Sequence, residues 1–196
     1  MTRQTALATA CVLACAFTAL GSNPASAIGT YKSWDGSQQV GSFGCPNTTT
    51  YGQVITVRKR TMLNKFTFSW VNGSSGSMVV RGEVYAWDGS KATGSALWES
   101  RPRTISFQDS AFHKETFKPG ALPLSQGGQY VLFASIDKDY EQCTDNYTVD
   151  WGSVDDGTYG DGTFVYQNNS GDEGQWTVTP WNTFGIDLAF YAAMSN

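Results

Sequence analysis

The run FGIDLAFYAAM, residues 184–194, puts Phe184, Ile186, Leu188 and Phe190 at every second position. Successive side chains of an extended chain point to opposite faces, whereas a helix returns to one face only every three or four residues. A period of two therefore predicts a strand with one apolar face. The alternation recurs through residues 51–57, through 63–70 with Phe66, Phe68 and Trp70 on one face, and through 78–87, 96–99, 104–107, 112–117 and 129–136. Gly, Asn, Asp, Ser and Pro separate these segments, as turns between short strands require. After residue 27 no apolar stripe at helical spacing is long enough to form a helix. The expectation is an all-β chain folded as an antiparallel, jelly-roll-like β-sandwich, although the pattern alone leaves a closed barrel open. The strand over 78–87 carries bulk on both faces, which predicts a central position.

GEVYAWDGSKATGSALWES, residues 82–100, reads as a hairpin. Asp88-Gly89 is turn chemistry, because glycine takes the positive φ and aspartate bonds its own backbone. Trp87 and Trp98 then fall on neighbouring strands, where they are expected to pack as a cross-strand aromatic pair.

The first 27 residues contain Arg3 as their only charge, an apolar run over roughly 6–20, and Ala25-Ser26-Ala27 before Ile28. This reads as a secretory signal peptide cleaved after Ala27, leaving residues 28–196 as one secreted, extracellular domain. The apolar run is too short to span a bilayer, and no later segment approaches the required ~20 apolar residues. Cys11 and Cys15 go with the signal. Cys45 and Cys143 are left and are expected to form a disulfide, since an exported chain meets oxidants; two separate buried thiols are the alternative.

Removing Arg3 leaves twelve basic residues against seventeen acidic, a formal charge of −5. Such a chain is unsuited to nucleic acid, whose binding rests on clustered Lys and Arg. The one basic run, Arg58-Lys59-Arg60, reads as a solvated strand end.

GEVYAWDGSKATGSALWES, together with LSQGGQYVLF (124–133), YGDGTFVYQNN (159–169), Gln175-Trp176, Trp181 and Asp187 to Phe190, resembles uncharacterised secreted bacterial β-sandwich proteins of the choice-of-anchor kind, commonly associated with a PEP-CTERM sorting tail. The resemblance spans most of residues 50–194 and implies a surface or matrix protein without an assigned reaction. The sequence ends at Met194-Ser195-Asn196 without such a tail, which implies a freely released product.

Catalytic constellations are sparse. His113 is the only histidine, on the polar phase of a strand, and no nucleophile elbow, zinc motif or phosphate-cradling loop occurs. A glycoside hydrolase needs only two carboxyl groups at a suitable separation. Glu83, Glu99, Glu115, Glu141 and Glu173 are available, but Glu83 shares a face with Arg81 and reads as its ion-pair partner. Enzyme activity is not the expectation, and no cofactor is expected. One exception stays open: Asp155, Asp156 and Asp161 in the glycine-rich segment 150–162 offer hard oxygen ligands to calcium, although their spacing fits no calcium loop.

Trp34, Trp151, Trp176 and Trp181 lie among Gly, Asp and Asn, where loops are expected. Loop aromatics on a rigid sandwich can stack on sugars, which makes Trp151, Trp176 and Trp181 candidate ligand-binding residues. The competing reading is that each plugs an end of the sandwich. Asn47, Asn72, Asn146 and Asn168 head Asn-x-Ser/Thr triplets, which chance supplies in so Asn- and Thr-rich a chain. The expected function is a secreted, non-catalytic protein that binds polysaccharide or extracellular matrix; a structural or adhesive surface protein and a carboxylate-pair hydrolase are the alternatives.

Overall fold

A computed structural model describes residues 26–46, 48–143 and 146–196. The signal segment up to residue 25, with Cys11 and Cys15, and the Asn47 triplet head lie outside the described residues. The strands are β1 (Ser26–Gly29), β2 (Gln39–Gly44), β3 (Thr50–Thr56), β4 (Thr61–Asn72), β5 (Met78–Trp87), β6 (Ala92–Glu99), β7 (Arg103–Ile105), β8 (His113–Phe117), β9 (Leu122–Leu124), β10 (Gln129–Ser135), β11 (Thr148–Asp155), β12 (Phe164–Gln167), β13 (Asn182–Thr183), β14 (Ile186–Leu188) and β15 (Phe190–Ser195). A 3-10 turn (Asp137–Gln142) and the single-turn helix α1 (Gln175–Val178) are the helical elements among the described residues.

Two antiparallel sheets pack face to face as a β-sandwich, as the alternation predicts. One runs β1-β15-β4-β11-β14, with β2 added on β11 and with β8 and β9 added on β4. The other runs β13-β12-β3-β10-β5-β6, with β7 added on β5. β5 lies between β10 and β6, the interior position its two bulky faces imply.

Phe43, Phe66, Phe68, Trp70 and Trp151 fill the space between the sheets. Trp151 makes ring contacts with Phe68 at 4.7 Å and Trp70 at 4.8 Å between centroids. Gly82 in β5 is bare because the Phe117 ring from β8 lies on it: a Cβ there would meet that ring at 2.2 Å. A second apolar layer covers the outer face of the β3-β10-β5 sheet, where Val54, Tyr85, Val131, Phe133 and Val165 pack under Trp176 and Trp181.

The 184–194 run departs from its expected form. It divides at Ala189 into β14, paired with β11, and β15, paired with β4. Leu188 and Phe190 are buried, but Phe184 is 62% exposed and precedes the strand. Asp187 explains the division. Its buried carboxylate accepts bonds from Gln53 Nε2 (2.9 Å) and the Tyr159 N–H (2.8 Å), while Gln53 Oε1 accepts from the Leu188 N–H. β14 is thereby tied to β3 of the facing sheet.

The hairpin tip forms as expected, with Asp88 Oδ1 accepting from the N–H groups of Ser90 (2.8 Å) and Lys91 (2.9 Å) and Gly89 at φ 102°. The Trp87–Trp98 pair does not form. A register shift between Val84 and Ala86 sends the rings to opposite faces: Trp98 packs edge-on against Phe66 at 6.0 Å, and Trp87 against Trp181 at 5.6 Å.

Cys45 and Cys143 form a disulfide, and no helix of the described residues is long and apolar enough to cross a membrane. Cleavage after Ala27 would remove half of β1, in which Ser26 faces Met194 and Ala27 faces Ala193. The remaining N-terminus is still held, because the Thr30 hydroxyl donates to the Leu188 carbonyl and accepts from the Phe190 N–H.

Candidate functional site

The tryptophans expected in loops are not a stacking platform. Trp151 is a strand residue of the central core with no exposure, and Trp176 and Trp181 are 1% and 6% exposed. Trp176 sits on the single-turn helix α1 and Trp181 in the irregular chain after it, but both lie on a sheet, and both rings pack edge-on against Phe133 at 5.0 and 5.2 Å. Polar neighbours misled the reading of Trp151: Gly152 beside it is bare to admit the Trp34 ring, which a Cβ would meet at 2.7 Å. Trp34 remains partly exposed.

The expected calcium ligands do not gather. Asp161 forms a two-pronged ion pair with Arg58, both N–O distances 2.7 Å, and that bonding holds its carboxyl below the usual range. Asp155 accepts from Gln38 Nε2, and Asp156 points to solvent. Among the described residues no group of three or more His, Cys, Asp or Glu side chains is assembled for a metal. His113 stacks on Phe107 and bonds Asp109 at 2.7 Å, a local surface contact.

A polar cluster lies under α1. Arg81 joins Asp139 (2.7 Å) to Glu99 (2.6 Å), and the Lys138 ammonium reaches Glu99 at 2.6 Å and Glu83 at 3.3 Å. Glu83 therefore pairs with Lys138 from the 3-10 turn, and the Arg81–Glu83 ion pair read from the sequence does not form. Asp137 Oδ2 accepts from Trp176 Nε1 (2.7 Å), Asn169 Nδ2 (2.8 Å) and Thr50 Oγ1 (2.9 Å). Burial pushes Glu83 up to about 7 against the opposing pull of Lys138. Glu99 is also partly desolvated, but Lys138 and Arg81 hold it below the usual carboxylate range.

Two carboxyls with separated protonation fit an acid–base pair in principle. An acid must touch its substrate, however, and the Glu83 side chain has no exposure. The cluster instead fastens the 3-10 turn and α1 onto the sheet.

Glu83 makes stability depend on pH. Its folded pKa lies above its unfolded one, so the native state binds more protons between about pH 4.5 and 7, and stability falls as pH rises through that window. Glu83→Gln keeps the shape without the charge. Its stability relative to the parent is expected to rise by roughly 2–3 kcal/mol between about pH 5 and about pH 8. Chemical denaturation at both pH values checks this, and parallel curves for the two proteins would contradict it.

A depression with three basic residues in its lining runs along the open edge where β6 faces β8, with a volume of about 450 Å3. Trp98, Glu99, Ser100, Arg101, Thr116 and Lys118 line it, with Arg103, and Glu99 is already paired with Arg81 and Lys138. Arg103 is committed: it pairs with Glu115 at 2.6 Å and lies 4.9 Å from the centroid of the Phe117 ring. Arg101 and Lys118 are exposed. The sequence reading missed this groove because it treated Trp98 as half of a packing pair. The available signal was two arginines spaced by one residue, the first three positions after that tryptophan, in an otherwise acidic chain.

No family model matches the chain, and no curated protein matches it.

Proposed function

We propose that the protein is a secreted, non-catalytic β-sandwich module that holds an acidic polysaccharide in the groove between β6 and β8. The observation that carries this is the partly exposed Trp98 ring lining one groove with the exposed cations Arg101 and Lys118. A sugar presents an apolar C–H face to an indole while its carboxylate or sulfate pairs with guanidinium and ammonium groups. Ser100 and Thr116 supply hydroxyls at the same groove. Two free cations in an acidic protein are too few for a phosphate backbone but suit spaced sugar charges. The disulfide agrees with an oxidising extracellular location.

The test is retention of the purified protein on immobilised alginate and polygalacturonate, with cellulose as the uncharged control. Retention on the acidic polymers at low ionic strength, and release by salt, are expected. The Arg101→Ala, Lys118→Ala double variant should lose at least about tenfold in affinity with its thermal transition unchanged. Equal retention of parent and variant, or no retention on either acidic polymer, would rule the reading out. Self-association seen by light scattering without glycan retention would favour the adhesive alternative.

A further inference from the structure

We infer that a second groove, between β2 and β14, is a binding site for a neutral glycan, chemically distinct from the groove at Trp98. It has a volume of about 380 Å3, with Gln38 and Gln39 on one side, Phe184 and Ile186 on the other and Ser153 in its lining. No lysine or arginine lines it.

The two glutamines have defined orientations. Gln38 Nε2 donates to Asp155 Oδ1 at 3.1 Å, and Gln39 Nε2 donates to Asp150 Oδ2 at 2.9 Å. An ionised carboxylate only accepts, so each amide must turn its NH2 towards the aspartate and its carbonyl oxygen elsewhere. Vicinal sugar hydroxyls both donate and accept, and an amide whose NH2 is spent on an aspartate and whose carbonyl oxygen is left over matches that pattern.

The backbone beneath them is fixed. The Gln38 carbonyl accepts from Trp34 Nε1 and from the Ser153 N–H, both at 3.0 Å, and the Gln38 N–H is turned towards Asp35 Oδ1. Gly41 lets Asp150 pack directly against the β2 backbone: a Cβ at that position would stand 2.5 Å from Asp150 Oδ1. Across the groove Phe184, 62% exposed, offers a flat apolar face to the C–H side of a sugar ring.

Charge sets the ligand class. The ionisable groups holding the two amides, Asp150 and Asp155, are both acidic, so a carboxylate- or sulfate-bearing sugar is repelled where an uncharged one is not. The site does not depend on the acidic-polysaccharide reading.

The experiment titrates the full secreted chain with cellohexaose, xylohexaose and mannohexaose, followed by protein NMR and calorimetry. At least one neutral hexaose is expected to shift resonances of Gln38, Gln39 and the Phe184 segment, with an affinity unchanged in molar salt. Phe184→Ala and Gln39→Ala should each weaken binding by at least about tenfold while keeping the parent thermal transition. The Arg101→Ala, Lys118→Ala variant should bind as the parent does, which separates this site from the acidic groove. Absence of binding to all three hexaoses, binding that salt abolishes, or equal binding by the Phe184 and Gln39 variants would overturn the inference.

Discussion

Trp176→Ala is expected to destabilise the protein by about 3–5 kcal/mol, the range for truncating a fully buried aromatic. The ring is buried against Phe133 and Tyr85, and its N–H is one of three donors to Asp137 Oδ2. Removing it opens a cavity over the outer face of the sheet and weakens the bonding of a buried carboxylate whose Oδ1 already has no hydrogen-bond partner. It also takes away the aromatic face that the Lys138 ammonium approaches at 5.4 Å. Trp176→Phe keeps most of the apolar area and loses only the donor, so about 1–2 kcal/mol is expected for it. Urea unfolding followed by circular dichroism measures both. A Trp176→Ala loss under about 1 kcal/mol would mean that the segment over the sheet is not part of the cooperative fold.

The second large effect concerns the disulfide. Cys45 and Cys143 are 98 residues apart in sequence, so the bridge removes substantial unfolded-chain entropy, about 4.7 kcal/mol in the loop-entropy treatment. It ties the end of β2, whose strand partner is β11, to the chain that follows the 3-10 turn. Replacing both cysteines with serine is expected to cost about 2–5 kcal/mol, measured as a lower guanidinium midpoint with a steeper slope, because the unbridged unfolded chain exposes more surface. An unchanged midpoint would show that β2 and the turn hold their places without the bridge.

The fold class was legible because a period of two needs no knowledge of the rest of the chain. The hairpin at Asp88-Gly89 was legible for the same reason, since its hydrogen bonds close within four residues. Burial of the glycine-flanked tryptophans was not. Gly152 exists for Trp34 and Gly82 for Phe117, and each partner is distant in sequence. A glycine bare for close packing and a glycine bare for a turn look alike in one dimension. The Glu83–Lys138 contact was equally hidden, because the lysine arrives on a 3-10 turn more than fifty residues later.

Local alternation and turn residues by themselves determined an all-β, antiparallel chain, and the cysteines remaining after the expected signal cleavage gave its disulfide. Tertiary structure alone decided which tryptophans are core, that Arg101 and Lys118 line one groove with Trp98, and that Gln38 and Gln39 line another with Phe184. The physical reason is range. Strand propensity and turn bonding act over a few residues, whereas burial and grooves depend on contacts between segments that the chain brings together only after both sheets have formed.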